Sequence, residues 1–257
     1  MKLSFYFSRI LHNKVKVLFI IFTVLLPLTE VIQIIIDVFY WHLSKYNANY
    51  VTFLAGYRGK IGYQIYLWVL PLYYLVIASE DTFQDQKNGY RQLMIERFGK
   101  RNYVLQQLFG SFIISFSVMA LGLMVNYVFL NIVLYGGKQI IYDISREDMT
   151  PLFALAFDHP FLANICYGII LSVITGIVGT FGTAIALVIS NRKVAYVIVL
   201  MLWTFIIHFE KYNILEIIQP FNSYTLKYIV LTFCLFALLY ISITAIFAGW
   251  VMKHDEV

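Results

Sequence analysis

The sequence predicts an all-α, polytopic membrane protein with six transmembrane helices. Three observations predict it. Apolar residues make up 61% of the 257-residue chain and charged residues only 13%, against about 45–50% and about 25% in water-soluble domains. The apolar residues gather into six runs, at positions 17–36, 61–79, 108–134, 161–189, 194–207 and 228–252. About 20 such residues cross a hydrocarbon core as a helix. Lys and Arg, finally, cluster in alternate connections between the runs, the charge asymmetry that orients membrane proteins. The composition excludes disordered, collagenous and disulfide-scaffold chains. Cys166 and Cys234 each lie inside an apolar run, which gives no disulfide framework. A net charge of +5 gives no indication of a nucleic-acid partner.

The chain reads as one transmembrane domain over residues 1–257. In residues 1–14, Leu3, Tyr6, Phe7, Ile10 and Leu11 recur at helical spacing opposite Lys2, Ser8, Arg9, His12 and Asn13. That is a basic amphipathic helix suited to the headgroup region. The first run is longer than a signal-peptide core and lacks a small-residue cleavage site, so it is expected to stay as an anchor. Pro27 and Pro71 fall inside the first two runs and are expected to kink them. The fifth run has 14 residues before His208 and Glu210, too few to span alone. The polar turn Ser190-Asn191-Arg192-Lys193 pairs it with the fourth run as a helical hairpin. Residues 209–225 begin with charge, continue through Ile214, Leu215, Ile217 and Ile218, and stop at Pro220. This pattern predicts a short apolar helix in a re-entrant hairpin between spans 5 and 6.

With the N-terminus inside, twelve Lys and Arg fall on the cytoplasmic side and seven outside, so both termini are expected in the cytoplasm of a multi-pass cell-membrane protein. Residues 136–160 form the long outer loop, with turns at Gly136-Gly137 and Asp158-His159-Pro160. Its Asp143, Arg146, Glu147, Asp148, Asp158 and His159 fit no metal-ligand spacing, so a solvated loop is expected.

Inside the spans, Glu30, Gln33 and Asp37 share one helical face. A carboxylate at membrane depth marks a functional position, here expected to line an outward-facing, water-filled vestibule or substrate path. Asn126 is a further candidate for that path, or hydrogen-bonds between helices as Asn131 also can. Gly176, Gly179 and Gly182 recur every third residue of the fourth span. They allow close helix approach, either within the chain or between two copies.

Residues 80–103 are the most informative connection. They begin acidic, with Glu80, Asp81 and Asp85, and end basic, with Arg97, Lys100 and Arg101. Tyr90, Leu93, Met94 and Phe98 line one face of a short helix bracketed by Gly89 and Gly99, which act as breakers. Such a helix rests on lipid, docks into a groove on a cytosolic partner, or is a charged loop that only sets topology.

Catalytic motifs are missing. No G-x-x-x-x-G-K-S/T loop is present to cradle nucleotide phosphates, and no H-E-x-x-H or G-x-S-x-G. The five histidines lie at or beyond span ends. No enzyme activity, catalytic residue, metal or cofactor is expected on this chain.

In order, these features are an amphipathic N-terminal helix, a second span ending in Glu80-Asp81, the segment G-Y-R-Q-L-M-I-E-R-F-G-K-R-N-Y, and a short fifth span followed by an apolar hairpin with Pro220. Together they resemble the permease subunits of type-2 ABC exporters. The family's loop is similar to E-x-x-x-G-x-x-x-x-L-x-x-R-x-x-R. The matching positions here are Glu80 or Asp85, Gly89, Met94 or Ile95, Arg97 and Arg101, while Gln106-Gln107 stands where a lysine commonly begins the third span. The resemblance implies a coupling helix between spans 2 and 3, with Tyr90 and Arg91 also on it. It implies a cytosolic ABC ATPase subunit that binds ATP and Mg, and a homodimer or paired permease. Small unfused permeases of this kind resemble bacterial exporters conferring antimicrobial-peptide resistance or lantibiotic-type immunity. The competing expectation is a structural or regulatory membrane component without a transport path.

Overall fold

Two prolines set how the first third of the chain is built. In the computed structural model, which describes residues 3–40, 53, 61–135, 150–209, 211–221 and 224–254, the first apolar run is two helices. These are α2 (Lys14–Leu25) and α3 (Leu28–Tyr40), preceded by α1 (Leu3–His12). Asn13 ends α1 and caps α2 by accepting from the Val15 and Lys16 amides at 3.1 and 3.4 Å, the usual job of an Asn at this position. Pro27 has no N–H and cannot continue α2. The break is tied to a neighbour: Asn126 Nδ2 donates to the Pro27 carbonyl at 2.9 Å.

The second run repeats the device. It comprises α4 (Ile61–Trp68), α5 (Leu70–Tyr74) and a π-helical turn, Leu75–Ser79. Pro71 leaves the Leu67 carbonyl, four residues back, without its helical donor. The buried Trp203 indole N–H supplies one at 3.0 Å. Trp203→Phe keeps most of the ring but removes that donor. It is expected to destabilise the fold by about 1–3 kcal/mol, the penalty for an unsatisfied buried carbonyl. Thermal unfolding in detergent reads this out, and an unchanged midpoint would count against the repair.

The rest of the chain is α6 (Glu80–Lys87), α7 (Tyr90–Phe98), α8 (Lys100–Val133), α9 (Pro151–Asp158), α10 (Pro160–Val188), α11 (Arg192–Ile207) and α12 (Leu226–Lys253). All regular structure among the described residues is helical. Three helices, α8, α10 and α12, with 34, 29 and 28 residues, are long and apolar enough to cross a membrane. Outward faces carry large apolar side chains, among them Val15, Leu18 and Phe22 on α2 and Leu235, Leu238 and Ile246 on α12. Water does not tolerate apolar surface of that extent, and the architecture is consistent with a helical membrane protein.

α10 is the central helix, lying against α8, α12, α11, α5 and the π turn. Its glycines explain how. A Cβ on Gly176 would stand 2.7 Å from the Phe112 ring, one on Gly179 2.8 Å from Ser115 Cβ, and one on Gly182 2.8 Å from Leu75. The small-residue stripe is therefore used within the chain, against α8 and the π turn. There Ser79 and Thr183 share a hydrogen bond at 3.0 Å.

Three expectations are corrected. Residues 209–225 hold no helix among those described. Tyr212, Glu216 and Gln219 donate to carbonyls three residues back, giving a string of turns. The Asn213 side chain accepts from the Leu215 amide at 2.9 Å, a local bond that competes with helix formation. Ile214, Leu215, Ile217 and Ile218 are nonetheless buried. The end of the connection over residues 136–160 is not a solvated loop: Thr150 caps α9 by accepting from the Phe153 amide. Asp143, Arg146, Glu147 and Asp148 lie outside the described residues. Glu30 does not line an open vestibule, because it is 1% exposed. Gln33 is half-buried, and the Asp37 side chain lies outside what the structure describes.

Candidate functional site: a charged elbow at one end of the bundle

The π turn delivers the chain into α6, whose first turn carries Glu80 and Asp81, with Asp85 one turn on. Each carboxylate meets a cation from another element. Arg9 of α1 donates to both oxygens of Asp85, at 3.0 and 2.6 Å, and also lies 3.8 Å from Asp81. Lys16 of α2 pairs with Asp81 at 2.7 Å, with side chains 0% and 4% exposed. Arg192, at the start of α11, pairs with Glu80 at 2.5 Å. Tyr103 and Tyr196 add hydroxyl bonds to Asp85 and Glu80, at 3.4 and 3.5 Å. Paired, charge-assisted bonds of the Arg9–Asp85 kind are the strong ones. Burial pushes the Asp85 carboxyl above the usual carboxylate range, while the Arg9 guanidinium pulls it back.

Between α6 and α7 the chain turns at Gly89, at φ +69°, and α7 ends at Gly99, at φ +82°. No neighbour lies within 4 Å of a Cβ built at either glycine, so both are required by backbone conformation, not by space. The two breakers read in the sequence are thus the two ends of an elbow, α6–Gly89–α7–Gly99.

The elbow's apolar stripe turns inward. Met94 is buried with Tyr103, Val104, Leu187, Ala248 and Val251, and Tyr90 and Phe98 pack on the same cluster. The Arg9 guanidinium lies over the Tyr90 ring at 5.4 Å. Tyr90 and Met94 therefore anchor α7 instead of presenting it, because the neighbouring α8, α10 and α12 offer apolar surface at that level. The outward face holds Gln92, Leu93, Glu96 and Arg97, with Leu93 61% exposed. Arg101, at the start of α8, is also exposed. Arg91 is buried and donates to the Leu187 carbonyl at 3.1 Å.

The structure brings together Glu80, Asp85, Gly89, Tyr90, Arg91, Met94 and Arg97 on one elbow, with Arg101 just beyond it at the start of α8. Glu30, Gln33 and Asp37 sit on α3 and Asn126 on α8, away from it in sequence and element. The bond from Asn126 to Pro27 fits the interhelical role. Sequence reasoning missed Asp81, Lys16, Arg192 and Tyr103 as members of the cluster. It also put Arg9 on the polar face of α1 meant for the headgroup region, whereas Arg9 reaches the elbow. A usable signal was present: three carboxylates within six residues, directly after an apolar run, require counter-charges at the same depth. Among the described residues no three His, Cys, Asp or Glu gather as a metal site.

The chain is 28% identical over 251 residues to the uncharacterized protein YybM of Bacillus subtilis (strain 168), covering 96% of this chain and 97% of that protein. No protein-family model matches the chain, and no solved structure matches it.

Proposed function

We propose that this chain is the membrane-spanning permease subunit of an ATP-driven exporter, with ATP and Mg held by a separate cytosolic ABC subunit and the permease acting as a pair. In this reading the chain crosses the cell membrane six times with both termini in the cytoplasm. The crossings are α2–α3, α4 through the π turn, α8, α10, α11 and α12. Helix lengths support it. At 1.5 Å per residue α8 is about 51 Å long, well beyond a hydrocarbon core of about 30 Å. Its first turns therefore project toward the elbow. α11, at about 24 Å, falls short, and the buried turns after it make up the depth.

The observation that carries the proposal is the elbow. Its inner face is fixed to α1, α2, α8, α10 and α11 by charge and packing, while its outer face of Gln92, Leu93, Glu96 and Arg97 is left open. A short helix held this way transmits a push from a soluble partner into several spans at once. The cargo consistent with aromatic, weakly charged spans is amphipathic or apolar, an antimicrobial peptide being the first to test. A susceptibility screen of a deletion strain against membrane-active peptides addresses it.

Full-length tagged chain is expected to retain from native membranes a subunit bearing a P-loop and an ABC signature. Arg97→Glu reverses a charge on the docking face, where like-charge contact costs several kcal/mol; retention falls by about tenfold or more. Gly89→Val forces a β-branched residue into a left-handed conformation and is expected to act in the same direction. Both variants still insert. Undiminished retention in both, or no nucleotide-binding subunit on the unaltered chain, overturns the proposal.

A further inference from the structure

α10 ends at Val188, and the last carbonyls of a helix have no partner within it. Two elbow side chains meet them. Gln86 Nε2 donates to the Ala186 and Leu187 carbonyls at 2.9 and 3.2 Å, and Arg91 Nη1 donates to Leu187 at 3.1 Å. Arg91 is 3% exposed. Its Nε and Nη2 make no hydrogen bond, and among the described residues no carboxylate pairs with it. A guanidinium buried without a carboxylate is unfavourable unless something else compensates its charge. Here that is the negative end of the α10 dipole. Burial lowers the pKa of this guanidinium, with the Tyr103 hydroxyl opposing the shift.

The elbow's strongest ion pair, Arg9–Asp85, leads only into α1, a helix of 10 residues, and its other ties also differ in what they lead to. The Arg192–Glu80 pair to α11 is half open to solvent, with the Arg192 side chain 52% exposed, and exposed pairs are weak. Lys16–Asp81 is buried, but it leads into α2, which stops after 12 residues, just before the Pro27 break. α10 runs unbroken for 29 residues and is seated by its glycines against α8 and the π turn.

We infer that Gln86 and Arg91 are positioning residues that clamp the elbow to the C-terminal end of α10, so that movement of the elbow is delivered first into α10. The inference rests on the permease reading above and names the helix that receives the motion.

The clamp itself is tested without any ATPase. Full-length chain in phosphatidylglycerol–phosphatidylethanolamine nanodiscs carries spin labels at Cys166, exposed on α10, and at Leu93→Cys on α7, with Cys234→Ser removing the other thiol. The unaltered clamp gives one narrow distance. Arg91→Met removes the buried charge together with its bond, a replacement the interior tolerates, and broadens or splits the distribution. Gln86→Leu does so as well, and it alone decides if Arg91→Met does not fold. Lys193→Met, an exposed charge loss on α11, leaves the distance narrow. Narrow distances in Arg91→Met and Gln86→Leu overturn the inference. With the ATPase subunit present, Arg91→Met retains the subunit, but transport per ATP hydrolysed falls about tenfold, the loss of one charged hydrogen bond. Undiminished transport per ATP also overturns it. Absence of any ATPase would refute the permease reading while the spin-label distance still decides the clamp.

Discussion

Asp81→Ala is expected to lower the stability of the folded chain by about 3–5 kcal/mol, the usual consequence of removing one partner from a buried ion pair. Lys16 is wholly buried and its ammonium lies 2.7 Å from the Asp81 carboxylate. Arg9, held mainly by Asp85, also faces Asp81, at 3.8 Å. Truncating Asp81 leaves the Lys16 ammonium buried without the carboxylate that faces it, while Arg9 keeps Asp85. The comparison that isolates the effect is Lys16→Met with Asp81→Leu. That pair removes both charges and both desolvation penalties, and it is expected to recover most of the lost stability. Thermal unfolding of the single and double variants in one detergent measures the cycle. A double variant as unstable as Asp81→Ala would show that the loss comes from packing around α6 and not from the orphaned ammonium.

Gly179→Leu is expected to be at least as damaging, at or above about 3 kcal/mol, the upper end of the range for overfilled interiors. Even a Cβ there would stand 2.8 Å from Ser115 Cβ and 3.6 Å from the Ser111 carbonyl. The first can rotate little inside a helix, and the second is backbone. Three further carbons force α8 and α10 apart along the contact that organises the bundle. Gly249→Leu, on α12, is the control, since nothing lies within 4 Å of a Cβ at that position. It is expected to be neutral. Yield of monodisperse protein and thermal midpoint report both variants. Equal loss in the two would argue against a specific close approach at Gly179.

Much of this architecture is readable before any coordinates. Apolar runs of sufficient length give α8, α10 and α12. The lone prolines give the breaks at positions 27 and 71, and Gly89 and Gly99 mark the ends of α7. Two things are not readable, for a shared reason. Periodicity tells which residues share a face, but not which way the face turns. Of the stripe that spacing predicts, Tyr90, Met94 and Phe98 close against α8 and α12, while Leu93 turns outward. Arg9 likewise belongs to the polar side of α1 by spacing, but α1 lies so that this side meets Asp85. The turns at 212–219 escape detection because Asn213 satisfies the backbone locally, which apolar content does not reveal. The Asp81–Lys16 pair joins residues 65 positions apart, and a one-residue-at-a-time reading treats both as ordinary flanking charge.

The π-helical turn at Leu75–Ser79 sets the phase of everything after it. Such a turn takes up one residue more than an ordinary helical turn, and one residue corresponds to about 100° of rotation. Without that surplus, Glu80, Asp81 and Asp85 would point a quarter-turn or more away from Arg9 and Lys16. A homologue with one residue fewer between Pro71 and Glu80 should therefore have a smooth helix there and aim the same three acids in the same direction.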